Sequence, residues 1–120
     1  MVIGIVGGEM GWTGMDGIEL NVEKNGGQAV VSVVGEIDLT SAPRLDDEVT
    51  GLIEGATKDL VIELGGVSFM DSTGLRVLLK ASKLLGSTGG TLTLRGPSEP
   101  VRRLLEVSGL HTHFEIAPAE

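Results

Sequence analysis

The chain has 120 residues, enough for one domain, and its aromatic content of 2% means that aliphatic side chains must form the core. It contains no cysteine, which excludes disulfides and thiolate metal sites. The formal net charge of -8 argues against nucleic acid and anionic lipid as partners, because their phosphates repel an acidic surface.

Targeting signals are absent from the sequence pattern. No apolar run approaches the ~20 residues that a membrane-spanning helix needs. The segment Met1–Gly11 has no basic region before its apolar stretch, so it does not resemble a signal peptide. We therefore expect a cytoplasmic protein without a membrane partner.

The first part of the chain predicts a leader followed by a β-hairpin. Residues 1–17 are rich in glycine and hold the single tryptophan, so we interpret them as a mobile leader or an added strand ahead of one domain over 18–120. Ile18, Leu20 and Val22 alternate with polar residues, as in a half-buried strand. The Asn-Gly-Gly turn at 25–27 and the β-branched run over 30–34 complete the hairpin.

Helices and strands then alternate. Ser41 and Pro43 predict a helix start, because serine caps free backbone N–H groups and proline fits the first turn. The later elements are a central strand over 59–64, a helix from about Ser72 to Leu85, a strand over 91–95, a helix from Ser98 to Gly109 with Val101, Leu104, Leu105 and Ser108 on one face, and a strand over 113–116. The order β-β-α-β-α-β-α-β predicts an α/β fold in which helices pack on a mixed sheet.

One segment resembles a known family. Residues 67–75, VSFMDSTGL, lie where a predicted strand ends and a helix begins. This motif resembles the signature of STAS domains, in particular the bacterial anti-sigma factor antagonists. The resemblance includes GEID at 35–38, DLVIEL at 59–64 and PVRRLLEVSGL at 100–110, and it covers about residues 18–116.

The resemblance implies a partner-switching cycle. An anti-sigma factor that is also a serine kinase is expected to phosphorylate Ser72, the serine after the motif's aspartate. The unphosphorylated protein is expected to bind that anti-sigma factor, and a metal-dependent serine phosphatase to reset the switch. The implied role is regulatory, with no cofactor and no enzymatic activity, in a monomer or weak dimer.

Physical chemistry permits a phosphate at this position. It adds about -1.5 to -2 charges, which a helix N-terminus tolerates through its free N–H groups and positive dipole end. The effect of phosphorylation should therefore fall on a partner rather than on the fold. Helix capping is the alternative explanation for Asp71, Ser72 and Thr73. Thr73 is also the alternative phosphate acceptor, while Gly74 keeps the loop slim for a kinase.

Asp38 has two possible roles. The resemblance places the end of its strand beside the Ser72 loop, where its carboxylate can contribute to the switch. A solvated turn aspartate is the alternative.

The second helix carries three stripes of residues. The first is assigned to the core and contains Leu75, Leu78, Leu79, Ser82 and Leu85. The second is basic and contains Arg76, Lys80 and Lys83. We expect the third stripe, Val77, Ala81 and Leu84, to lie away from the core and to form with Arg76 and Lys80 a docking surface beside Ser72. Contact with a neighbouring helix is the alternative for this third stripe.

Other motifs are weaker. The glycines near the start do not match a dinucleotide-binding fingerprint. His111 and His113 can share a strand face, but two histidines are too few for a zinc site. Ser72 lacks the G-x-S-x-G context of a hydrolase nucleophile. The competing functions are a STAS scaffold or ligand-sensing module without a phosphorylation switch, and an unrelated metabolite-binding α/β domain.

Overall fold

The computed structural model describes residues 12–15 and 17–119. Its elements are β1 (Thr13–Met15), β2 (Ile18–Asn25), β3 (Gln28–Ile37), α1 (Ala42–Glu54), β4 (Asp59–Met70), α2 (Ser72–Ser87), β5 (Thr91–Arg95), α3 (Glu99–Val107) and β6 (Glu115–Ala117). The predicted order β-β-α-β-α-β-α-β is confirmed, with β1 as one further strand. Part of the predicted leader is thus an added strand, while residues 1–11 lie outside the described residues.

The strands are arranged in the sheet in chain order, β1-β2-β3-β4-β5-β6. β1, β2 and β3 pair antiparallel, which confirms the predicted hairpin. β3, β4, β5 and β6 pair parallel, because a helix connects each strand to the next. The sheet is therefore mixed.

One face of the sheet forms the core. Its strands bury alternate residues, as the period of two along a strand requires. The buried residues of β3, β4 and β5 on this face are Ala29, Val31, Val33, Ile37, Leu60, Ile62, Leu64, Val67, Met70, Leu92 and Leu94. Helix α1 packs against β3 and α2, and α2 also packs against β4 and β5. No helix within the described residues has the length and hydrophobicity of a membrane span.

β4 is longer than the sequence pattern predicts. The apolar run ends at Leu64, yet the strand continues through two glycines and into the motif as far as Met70. It does so because β3 supplies pairing partners, with Val34 opposite Gly66 and Ile37 opposite Met70. The motif residues before Asp71 therefore belong to a strand and not to a loop.

The predicted cap at Ser41 is wrong in detail, and Ser98 at the start of α3 behaves in the same way. Ser41 and Ser98 precede α1 and α3, but neither side chain accepts a hydrogen bond from the first turn of its helix. The Ser41 hydroxyl donates to the Glu36 carbonyl at 2.6 Å, and the Ser98 hydroxyl donates to the Val67 carbonyl at 2.5 Å. These serines therefore attach the starts of α1 and α3 to β3 and β4. Ser108, predicted on the buried face of α3, is exposed beyond the end of that helix.

Candidate functional site

The site is built where β4 passes directly into α2. Asp71 is the N-cap residue between them, with an extended backbone, and Ser72 is the first helical residue. The Asp71 backbone N–H donates to the Ile37 carbonyl of β3 at 3.2 Å, and the Gly74 N–H donates to the Asp71 carbonyl at 3.0 Å. The first bond attaches the helix start to the end of β3, and the second closes the first turn of α2.

Asp71 caps the helix through its side chain. Its Oδ1 accepts the Thr73 backbone N–H at 2.9 Å and also accepts the Thr73 hydroxyl. These two bonds lower the pKa of the Asp71 carboxyl below its ordinary value, and the hydroxyl has the larger effect. The predicted capping role of Asp71 is confirmed.

Ser72 and Thr73 present their hydroxyls differently. Thr73 is half-buried and donates its hydroxyl to Asp71. Ser72 is exposed, and its hydroxyl makes no hydrogen bond within the described residues. A molecule that approaches the helix start therefore meets an unengaged serine hydroxyl beside an engaged threonine hydroxyl.

Gly74 is buried in the first turn of α2. A Cβ atom at this position would lie 2.6 Å from the Met70 Cγ and 2.9 Å from the Ile37 Cγ2, closer than packed atoms come. The glycine is thus needed on the inner side of the helix, where it lets α2 approach the ends of β3 and β4. This contact gives the glycine a structural reason that the sequence pattern did not reveal.

Asp38 lies at the end of β3, beside the start of α2, as predicted. The register places Ile37 opposite Met70, so Asp38 and Asp71 follow neighbouring strand ends. The Asp38 carboxylate accepts the backbone N–H of Thr40 at 3.0 Å and that of Ser41 at 3.1 Å. It therefore orders the turn into α1 as a half-buried turn aspartate, and its contribution to the switch stays a prediction.

The third stripe of α2 does not lie away from the core, so that expectation is wrong. Val77 and Ala81 are 8% and 1% exposed, and Leu84 is half-buried. The reason is that α2 packs against α1 as well as the sheet, which gives the helix two buried sides. Of the residues proposed to contact a partner, Arg76 and Lys80 are exposed, and Lys80 forms an ion pair with Asp46 at 3.1 Å.

The structure has an exposed apolar surface near Ser72 that the sequence pattern did not predict. Phe69, at the end of β4, is 47% exposed, and Val107, at the end of α3, is 80% exposed. Both line a groove of about 370 Å³ with Met70, Glu99, Pro100, Arg103 and Leu104. A phenylalanine three residues before an exposed serine was the available signal, but a strand of that length was not predicted.

Metal chemistry finds no support at this site. Within residues 12–15 and 17–119, no cluster of three or more histidine, cysteine or acidic side chains has the geometry to hold an ion. His111 and His113 lie in the turn before β6 and not in a strand.

Comparisons with known proteins agree with this architecture. The family model of the STAS domain matches residues 19–120. The anti-sigma-B factor antagonist of Bacillus subtilis strain 168 is 39% identical over 100 residues, covering 83% of this chain and 91% of that protein. A crystal structure of an anti-sigma factor antagonist from Mycobacterium paratuberculosis superposes with a TM-score of 0.74 at 35% identity, covering 89% of this chain and 91% of that one.

The fold is also that of SpoIIAA, an anti-sigma factor antagonist whose structure is known in unphosphorylated and phosphorylated forms. The TM-scores are 0.75 and 0.70 at 24% and 23% identity, with 84% of this chain covered in both cases and 88% and 91% of the SpoIIAA chains. The chain therefore belongs to the STAS-domain family of anti-sigma factor antagonists.

Proposed function

We propose that this protein binds a kinase-type anti-sigma factor while Ser72 is unphosphorylated and releases it once that kinase has phosphorylated Ser72. The observation that carries the proposal is the exposed, unengaged Ser72 hydroxyl at the start of α2. It is supported by relatives that are anti-sigma factor antagonists, one of them known in a phosphorylated form. A serine phosphatase of the metal-dependent class would reset the switch.

A phosphate on Ser72 should leave the fold intact and change only the binding of a partner. A phosphate on the first residue of α2 lies at the positive end of the helix dipole, which stabilises an anion. Since the Ser72 side chain is exposed, the phosphate displaces no core atoms. The added charge and bulk therefore act on a partner that contacts this helix start.

The apolar groove beside Ser72 supports a protein partner. Phe69 and Val107 expose large apolar side chains that a monomer gains nothing by leaving in water. Leu39, in the turn after β3, is 76% exposed near the same strand ends. We propose that an apolar segment of the anti-sigma factor covers this surface when its kinase active site reaches Ser72.

The test uses purified protein, a kinase-type anti-sigma factor and ATP, with the phosphate mapped by mass spectrometry. Phosphate is expected on Ser72 in the wild type and in Thr73→Val, and on no residue in Ser72→Ala. Calorimetry should show that phosphorylation weakens binding ~100-fold or more, because an unfavourable charge at an interface costs several kcal/mol. A wild type that binds no such factor, or binds it equally in both forms, would favour a STAS scaffold or ligand-sensing module instead.

A second pair of variants tests whether the groove contacts the anti-sigma factor. Phe69→Ala should weaken anti-sigma factor binding by about tenfold or more, because it removes an exposed anchor. Ile116→Ala is the matched control, since Ile116 is also exposed, at 37%, but lies on β6. Equal affinities for these two variants would remove the groove from the proposed interface.

A further inference from the structure

Arg76 lies one helical turn beyond Ser72. Residues four apart in a helix share a face, and both side chains are exposed. Long side chains in a helix lean toward its N-terminus, because the Cα–Cβ bonds point that way. With this lean, the guanidinium of Arg76 can reach the turn that begins with Ser72.

The charged side chains near Arg76 bind other groups, so its guanidinium can bind a phosphate. Within the described part of the chain it forms no ion pair, whereas Lys80, the next cation along the stripe, is paired with Asp46. The two carboxylates near the helix start have other partners. Asp71 accepts hydrogen bonds from Thr73, and Asp38 accepts the N–H groups of the turn into α1.

We propose that Arg76 binds the phosphate group of phosphorylated Ser72 within the same helix. The inference rests on the proposed function for its biological meaning. A guanidinium offers two parallel N–H donors to two phosphate oxygens, a stronger arrangement than a lysine ammonium provides. The exposed cation is then withdrawn from the surface that faces the anti-sigma factor. Phosphorylation thus adds negative charge at Ser72 and also neutralises the exposed positive charge of Arg76. An approaching anti-sigma factor then meets a more negative surface.

The experiment needs no kinase. Phosphoserine is incorporated at position 72 during translation of the full chain, and the second ionisation of the phosphate is followed by ³¹P NMR between pH 4 and 8. A cation bound to the phosphate favours the dianion, so it lowers the second pKa from its usual value of about 6. The carboxylates of Asp38 and Asp71 oppose this shift equally in every variant compared.

Two substitutions provide the comparison. Arg76→Gln should raise the phosphate's second pKa by about 0.3 pH units, the size that a helical i,i+4 pair supports. Lys83→Gln removes the same charge about 16 Å along the helix axis, beyond the Debye length, and should leave the value within ~0.1 units. Arg76→Lys should give an intermediate value, because it keeps the charge without the paired donors.

The outcomes separate the two proposals. Equal titration curves for Arg76→Gln and Lys83→Gln would overturn the Arg76–phosphate contact, whatever a kinase does. Failure of every kinase-type anti-sigma factor to label Ser72 would overturn the proposed function and leave the measured contact intact.

Discussion

The carboxylate of Asp71 binds both the backbone N–H and the hydroxyl of Thr73, and by doing so it leaves Ser72 as the unengaged hydroxyl at the start of α2. One side chain thus caps the helix and engages the Thr73 hydroxyl but not the Ser72 hydroxyl. The two effects can be tested separately, because stability reports the first and the phosphate mapping of the proposed switch reports the second.

Removal of the Asp71 cap should cost stability. Asp71→Ala is expected to lower the free energy of unfolding by about 1 kcal/mol, the usual value of an N-cap side chain. Asp71→Asn should cost much less, because its side-chain oxygen can still accept the Thr73 N–H. Urea denaturation of both variants at neutral pH measures the difference, and an Asp71→Ala midpoint equal to that of the wild type would contradict the capping role.

The same carboxylate predicts a pH dependence. Its pKa in the folded protein lies below the ordinary value of about 3.9 because it accepts hydrogen bonds from Thr73. The unfolded chain therefore takes up the proton first, so the contribution to stability is complete above about pH 5 and is lost as the pH falls through the folded-state pKa.

Asp71→Asn, which cannot titrate at this position, supplies the reference for that measurement. The difference in unfolding free energy between wild type and Asp71→Asn should stay constant from pH 7 to pH 5 and shift against the wild type below about pH 4. The Glu99 carboxyl, whose pKa is lowered by Arg102 and Arg103, is present in both proteins and cancels. If this difference in unfolding free energy stays constant down to pH 3, the hydrogen bonds from Thr73 do not lower the pKa of Asp71.

Gly74 should not tolerate a methyl group. Gly74→Ala places a Cβ against Met70 and Ile37, and overpacking of this kind costs about 1–3 kcal/mol. Gly86→Ala is the matched control in the same helix, since its Cβ would meet nothing within 4 Å. It should be neutral or stabilising by up to about 1 kcal/mol, because alanine favours helix over glycine. Thermal unfolding of both variants measures the two changes in stability. Equal changes would mean that Met70 and Ile37 move aside for the methyl group at position 74.

A new negative charge should destabilise the protein far more on the buried side of α2 than on its exposed side. Val77→Asp places a carboxylate at a position that is 8% exposed against α1, and it should cost about 3 kcal/mol or more. Lys83→Asp, on the exposed stripe, should stay within about 0.5 kcal/mol of the wild type. Circular dichroism during urea denaturation compares them, and a stable Val77→Asp protein would restore the surface position that the sequence alone suggested.

Much of the site followed from local sequence signals. The turn at 25–27 and the alternation on either side of it predicted the β2–β3 hairpin correctly. The acidic and hydroxyl residues at 71–73, ahead of an apolar helix pattern, placed Ser72 at a helix start and Asp71 at its cap. These features depend on interactions between residues close in the chain, so the sequence contains the information for them.

The remaining features depend on what packs against each element. Helical spacing showed that Val77, Ala81 and Leu84 share a face, but only the position of α1 decided that the face is largely buried. Likewise, β4 reaches Met70 because β3 pairs with it, and the hydroxyls of Ser41 and Ser98 donate to carbonyls of β3 and β4 that the fold brings near. The sequence by itself determined the order of the elements and the place of Ser72 at the start of a helix. The tertiary structure decided which faces meet water, because periodicity defines a face and only a neighbouring element can bury it.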